Sequence, residues 1–168
     1  IKFDDAWGRS YYLTDTLKFT CSRLDASRFY LLKSGKTSIL NGDYITINCG
    51  NKVLIIDNDH LSFIDKNNLN KEQNYFIISN NNDTTDPITF NTIINFITNK
   101  NLPQSGLKLS WDLKTQSASL KNALLTEDQD PFFHFSLERA PTNQPNSPTE
   151  NNHKSLSNNT KKTFKTAT

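Results

Sequence analysis

Apolar and polar residues alternate with a period of two over several short stretches of the chain, which is typical of half-buried β-strands. The clearest is DYITINC (residues 43–49), where Ile45 and Ile47 share one face and Tyr44 lies on the opposite, polar face. Gly-Asn at residues 50–51 then predicts a hairpin turn. The pattern therefore predicts a strand, a turn and a second strand in this region.

Such stretches come in groups of four. KVLIID, LSFID and YFIIS follow the first one, and turn-forming residues separate them. The downstream group is ITFNTIINFIT (residues 88–98), GLKLSWD (106–112), SASLKN (117–122) and FFHFSLE (132–138), and the upstream group is IKF, SYYLTD, LKFTC and RFYLLK. A repeat of about 40 to 55 residues predicts units that cannot close their own cores and must share one.

One stretch also fits a helix. In FNTIINFITN (residues 90–99) the apolar residues Phe90, Ile93, Ile94 and Ile97 have helical spacing. Its β-branched residues favour a strand, and it lacks strong helix formers. We predict a strand and keep the helix as the alternative.

Three four-stranded units that close on themselves resemble the β-trefoil superfold. Trefoil lectins of the ricin B-chain type carry Gln-x-Trp in the fourth strand of a unit, and this chain has QNY (residues 73–75), QDPF (129–132) and SRF (27–29). The resemblance implies an all-β trefoil domain over residues 1–140. It also implies a rigid barrel whose loops recognise other molecules.

Residues 141–168 differ in composition from the rest of the chain. They are rich in Asn, Ser, Thr and Lys, and they contain four lysines and one glutamate, a net charge of +3. The chain as a whole carries +2, so residues 1–140 carry −1. Such a segment cannot bury enough apolar surface to offset its ordering entropy, and we predict a disordered basic tail or linker. The near-neutral balance predicts no nucleic-acid partner.

No apolar run approaches the ~20 residues that span a bilayer, so we expect a soluble chain. The sequence does not decide its compartment, and secretion and association with a virus particle are both open. Cys21 and Cys49 leave two readings open. Cys49 shares the inward face of its strand and can be a small buried hydrophobic residue. A Cys21–Cys49 disulfide would instead indicate an oxidising compartment.

Motifs for catalysis and cofactor binding are incomplete. SGKTS (residues 34–38) resembles the end of a phosphate-binding loop. However, Tyr30 stands at the position where that motif requires its first glycine, and a strand end and a turn follow instead of a helix. DNDH (57–60) lacks the alternating acids of a calcium loop and predicts a turn. We predict no catalytic site, no metal site and no cofactor.

Five residues are candidates for ligand binding. They combine aromatic rings with carboxylate or amide groups: Tyr44, Asp57, Asn58, Trp111 and Asp112. Trp111 alternates with Leu107 and Leu109, which predicts a core position, but an exposed indole would stack on a sugar or anchor a protein.

The sequence favours non-enzymatic recognition of a glycan or a protein. Trefoils serve many functions, so the fold does not choose the ligand. One alternative is a structural protein, such as a component of a viral particle, whose tail contacts its neighbours. Another is a protease inhibitor, for which residues 100–106 with Pro103 are the candidate reactive loop. The sequence gives no prediction of oligomeric state.

Overall fold

The computed structural model describes residues 1–35, 38–69, 75–80, 85–98, 106–112, 114–122 and 131–141. This part of the chain is all-β, which confirms that part of the fold prediction. Its strands are β1 (Lys2–Asp4), β2 (Ser10–Leu13), β3 (Phe19–Thr20), β4 (Tyr30–Leu32), β5 (Tyr44–Cys49), β6 (Lys52–Asp57), β7 (His60–Asp65), β8 (Phe76–Asn80), β9 (Ile94–Thr98), β10 (Leu107–Asp112) and β11 (Ser117–Asn122). The helical elements of the described residues are two 3-10 turns, Lys66–Asn68 and Pro131–Phe133.

The strands pair antiparallel in two sheets. One has the order β1-β2-β3. The other runs β11-β10-β9-β8-β5-β6-β7, and β4 joins it through β5. Strands β11 and β7 at its two ends lie against each other, so the sheet is barrel-like and nearly closed.

The strand pairs recur in one pattern along three segments, residues 2–32, 44–80 and 94–136. In each segment three strands pair in succession: β1-β2-β3, β5-β6-β7 and β9-β10-β11. Strand β4 then pairs with β5, and β8 with β9. Bridges from Phe135 to Ile94 and from Ser136 to Lys2 return the end of the third segment to the first strand.

Burial follows the sequence pattern strand by strand. In β5, Ile45 and Ile47 are buried and Tyr44 is exposed, as the period-two alternation predicts. In β6 all four residues from Val53 to Ile56 are buried. Leu54 and Ile56 belong to the main core, whereas the two alternate residues are buried outside it. The continuous apolar run of β6 thus reflects burial on both faces.

The three segments share one core. Its largest fully buried side chains include Phe3 from the first segment, Phe76 from the second and Phe96 and Phe135 from the third. Leucines and isoleucines of the same segments fill the space between the rings. A shared interior is what a repeat of this length predicts, because no segment alone encloses its apolar face.

The region 132–138, predicted as a strand, is a strand only in part. Residues Pro131–Phe133 form a 3-10 turn, and only Phe135 and Ser136 make isolated bridges. Proline lacks the N–H that a sheet ladder needs, and 3-10 turns suit short connections. The prediction for residues 88–98 was also too long, because the strand there begins at Ile94. Residues 94–98 form this strand, and the described residues 88–98 contain no helix.

Two of the aromatic residues in the three lectin-like motifs, Phe29 and Phe132, pack against the core. Phe29 of the first copy stacks on Phe63 with ring centroids 5.8 Å apart. Phe132 of the third copy stacks on Phe3 at 6.2 Å. The glutamines at 73 and 129 lie outside the described residues.

Asp43 fastens the turn before β5 to the neighbouring strands. Its carboxylate accepts hydrogen bonds from the amide of Leu40 at 2.7 Å and the ammonium of Lys33 at 2.6 Å. Those two bonds outweigh the opposing effect of burial, and they lower the pKa of Asp43 from its ordinary value of 3.8. Its backbone carbonyl accepts from the amide of Ile78 at 3.0 Å.

We expect the ionisation of Asp43 to make the free energy of unfolding depend on pH. A carboxylate with a lowered folded-state pKa stabilises the fold fully above its unfolded pKa, and this contribution is lost as pH falls through the folded value. The midpoint of urea unfolding should therefore fall more between pH 5 and pH 3 in the parent than in Asp43→Asn. Equal losses in the two proteins would contradict this role.

Candidate functional site

The loop between β1 and β2 holds a tryptophan out in solvent. The loop has the sequence DAWGR (residues 5–9), and the side chain of Trp7 is 80% exposed. Gly8 follows it with φ at +79°, a left-handed conformation that glycine adopts without strain. The chain therefore reverses direction at the residue that follows Trp7.

The carboxylate of Asp5 fixes this loop. One oxygen, Oδ1, accepts the amides of Trp7 at 2.9 Å and Arg9 at 2.8 Å. The other, Oδ2, accepts Nε of Arg9 at 3.1 Å and the hydroxyl of Tyr11 at 3.3 Å. The Asp5 backbone adds two bonds, to the carbonyl of Arg9 and from the amide of Gly8. A single side chain thus sets the backbone on both sides of Trp7.

The environment keeps Asp5 ionised. Only 5% of its side chain is exposed, and burial by itself would raise the pKa. The amides of Arg9 and Trp7, together with the guanidinium of Arg9, outweigh burial and lower the pKa of Asp5 from 3.8. A charged acceptor makes stronger hydrogen bonds than a neutral one, so the loop is stiffest in the ionised state.

Arg9 lies beside the indole as well as on Asp5. Its guanidinium carbon is 5.9 Å from the centroid of the Trp7 ring, and its side chain is 66% exposed. An exposed indole with a neighbouring guanidinium offers a flat apolar face and hydrogen-bond donors together. That combination suits stacking on a sugar ring and also suits protein contacts, where Trp and Arg dominate the binding energy.

A second feature is a cavity of about 530 Å³ beside β4. Residues 28–31 form one wall, and residues 137–140 form another. Its apolar lining includes Phe29, Phe90 and Leu137. The volume lies within the range of about 300 to 1,000 Å³ that is common for ligand pockets.

Arginines dominate the charge of this cavity, which Arg23, Arg28 and Arg139 line together with Glu138. Glu138 is bound by Arg23, whose Nε lies 3.0 Å from its carboxylate. Tyr12 is also hydrogen-bonded to Glu138; burial, followed by the charge and hydrogen bond of Glu138, raises the pKa of Tyr12.

No relative is found by comparison with known proteins. No family model, curated protein or solved structure matches the chain. The helical elements of the described residues include none long and apolar enough to cross a membrane.

The five predicted ligand-binding residues lie in β5, at the β6–β7 hairpin and in β10. Tyr44 is 47% exposed at the start of β5, opposite Ile77 of β8. Asp57 and Asn58 lie at the hairpin between β6 and β7. None of the five predicted residues lines the cavity beside β4.

Trp111 lies in the core, as its alternation with two leucines predicts, and is only 4% exposed. Its ring packs against Phe3 at 4.6 Å and Tyr11 at 5.1 Å between centroids. This packing leaves no indole face for a ligand. The ligand-stacking alternative for Trp111 is therefore not realised in this structure.

Asp112 is engaged by its own backbone. The amides of Thr115 and Lys114 donate to its Oδ1 at 3.3 and 2.9 Å, and these bonds lower the pKa of Asp112. An aspartate that bonds amides two and three residues ahead is typical of a turn. Its geometry explains the residue without a ligand.

Asn58 has a structural role of the same kind. With Asp59 it forms the two-residue loop between β6 and β7, and both have positive φ, at 45° and 68°. Paired positive φ values suit the twist of a tight hairpin, and Asn and Asp tolerate them better than other side chains.

We therefore expect Asn58→Ala to lower the free energy of unfolding by about 1 kcal/mol, the cost of left-handed backbone for alanine. Asp57→Ala, one residue earlier in regular strand, should change it by less than about 0.5 kcal/mol. Urea titration of both variants measures this. Equal effects would show that turn geometry does not decide the role of Asn58.

The Trp7 loop (residues 5–9) was not among the binding sites predicted from the sequence. The sequence feature that could have predicted this turn is an aspartate two residues before a tryptophan-glycine pair, since Asp bonds backbone amides two residues ahead.

Several other predictions lie outside the described residues: the inhibitor loop 100–106 except Gly106, and the tail beyond Pro141. Both cysteines are free thiols, with Cys21 exposed and Cys49 partly buried.

Proposed function

We propose that the chain is a non-enzymatic recognition module, built as a β-trefoil, that binds a glycan or a protein partner through its loops. In a trefoil, three four-stranded units pool their apolar faces and their hairpins cap one end of a barrel. The recurrence of strand pairs in the three segments supports this architecture. So does the bridge between Lys18 and Ser117, which links the β3 and β11 regions.

The exposure of Trp7 carries the functional proposal. An indole that is 80% in solvent gains nothing from the hydrophobic effect in the isolated fold. The six hydrogen bonds that Asp5 makes within and beside the loop fix the backbone that carries the indole. A rigid aromatic side chain loses little conformational freedom on binding, which is why preorganised Trp residues bind partners strongly.

A glycan array combined with tryptophan fluorescence tests the glycan arm. Bound sugar that stacks on Trp7 should change its emission. Trp7→Ala should weaken binding by about 2 kcal/mol or more, which is about 30-fold, and leave the unfolding free energy within about 0.5 kcal/mol. Tyr44→Ala, which removes an exposed aromatic ring in β5 rather than in the Trp7 loop, is the matched control and should bind normally.

The results of these experiments distinguish between the two binding sites and between a glycan and a protein ligand. Binding that survives Trp7→Ala but is lost in Tyr44→Ala would overturn the choice of site. Silence across the array and in fluorescence would overturn the glycan arm. The protein arm then predicts that a benzophenone amino acid at position 7, but not at position 44, crosslinks to one saturable partner.

A further inference from the structure

Strand β4 has one edge that is not used in strand pairing. It pairs with β5 through Tyr30, Leu31 and Leu32. Within the described part of the chain, no backbone hydrogen bond joins its opposite edge to another strand. By contrast β8, the last strand of the second segment, pairs on both sides, with β5 and with β9. A free edge presents N–H and C=O groups that an added strand can use.

The cavity of about 530 Å³ lies along this side of β4. Its lining includes residues 28–31 but none of β5. The opposite wall is the segment 137–140, which Arg23 and Arg28 hold through the carbonyls of Arg139 and Pro141, each at 2.8 Å. The space is therefore a groove bounded by a strand edge on one side and an anchored segment on the other.

The groove has more positive than negative charge. Glu138 is engaged by Arg23, and no other described carboxylate lines the groove. Among the described residues, Arg28 and Arg139 form no ion pair, and Nε of Arg28 is buried without a hydrogen-bond partner. A buried donor without a partner costs free energy that an acceptor recovers. Arg139 lies over the ring of Phe90, 5.3 Å from its centroid.

We propose that this groove binds an acidic, extended segment of a protein partner, which pairs with the free edge of β4 and places a carboxylate at Arg28 and Arg139. Apolar side chains of the segment would contact Phe90 and Leu137. The proposal does not depend on the Trp7 loop, which belongs to a different part of the surface.

Charge argues against two other occupants. Residues 142–168 carry four lysines and one glutamate, so the chain's own tail has the same sign as the groove. A second copy that paired β4 with β4 would bring the arginines of both copies together. Like charges in close contact disfavour such pairing.

Fluorescence anisotropy with a labelled peptide tests the inference. The probe is Val-Glu-Val-Glu-Val, with two matched peptides: one with lysine for glutamate, and one with N-methyl groups on alternate backbone nitrogens. The parent peptide should bind the full chain, and both controls should bind at least tenfold more weakly. Arg28→Gln and Arg139→Gln should each weaken binding of the parent peptide about tenfold, whereas Lys52→Gln, which removes an exposed cation outside the groove, should not.

Since Arg28 also anchors Pro141, its variant is compared with Arg139→Gln, whose guanidinium makes no such anchor. Weaker binding in both supports the groove. Equal binding of the N-methylated peptide would overturn strand addition and indicate a carboxylate site, as would competition by acetate at peptide-like concentrations. A dimer in sedimentation, slow exchange of the outward β4 amides in the free protein, or no binding up to about 1 mM would also overturn the proposal.

Discussion

Phe135→Ala should lower the free energy of unfolding by about 3 to 5 kcal/mol. The ring is 1% exposed and contacts the rings of Phe3, Phe19 and Phe96, with centroids 6.1, 6.2 and 6.2 Å away. Those neighbours come from the first and third segments, so truncation leaves a cavity where the two meet. Urea unfolding followed by tryptophan fluorescence measures the loss.

Phe90→Ala is the matched control, because it removes the same atoms from a ring that is 49% exposed. Its ring forms a surface cation–π pair with Arg139, which is worth about 0.5 to 1 kcal/mol. We expect a loss of that size. Similar losses in the two variants would mean that Phe135 does not close the shared core.

The local parts of the fold follow from the sequence. SASLKN was predicted as a strand and Ser117–Asn122 is β11, because serine-rich alternation and its flanking turn are encoded within a few residues. The turn at Asn58 and the core position of Trp111 were predictable for the same reason. Each depends on residues close in the chain or on a simple alternation.

Contacts between distant parts of the chain were not predictable. The hydrogen bond from Arg23 to the carbonyl of Arg139 joins residues 116 positions apart, and no periodic pattern encodes it. The groove beside β4 exists only because such contacts bring residues 23–31 against residues 137–140.

The Trp7 loop lies between these cases. Its hydrogen bonds are local, since Asp5 contacts residues two, four and six positions ahead. The exposure of the indole depends on the rest of the fold, and it runs against the average behaviour of tryptophan, which is largely buried in folded proteins. Sequence alone therefore predicts a turn at this position but not a presented binding residue.

Asp5→Ala should make the backbone of the Trp7 loop more mobile without removing the indole side chain. The amides of Trp7 and Arg9 both donate to Asp5, so their hydrogen exchange should become at least about tenfold faster. Any partner that binds through Trp7 should bind about tenfold more weakly, because the loop must then be ordered on binding. Asp5→Asn keeps one acceptor oxygen and should lie between the parent and Asp5→Ala.

Asp4→Ala is the control for this effect. Asp4 is adjacent and its side chain is 50% exposed, and it contacts Lys2 and Ser10 rather than the loop amides. Protection in the parent should persist through pH 3.8 and be lost only as pH falls through the lowered pKa of Asp5. Unchanged exchange in Asp5→Ala, or an equal change in Asp4→Ala, would show that the carboxylate of Asp5 does not hold Trp7 in position.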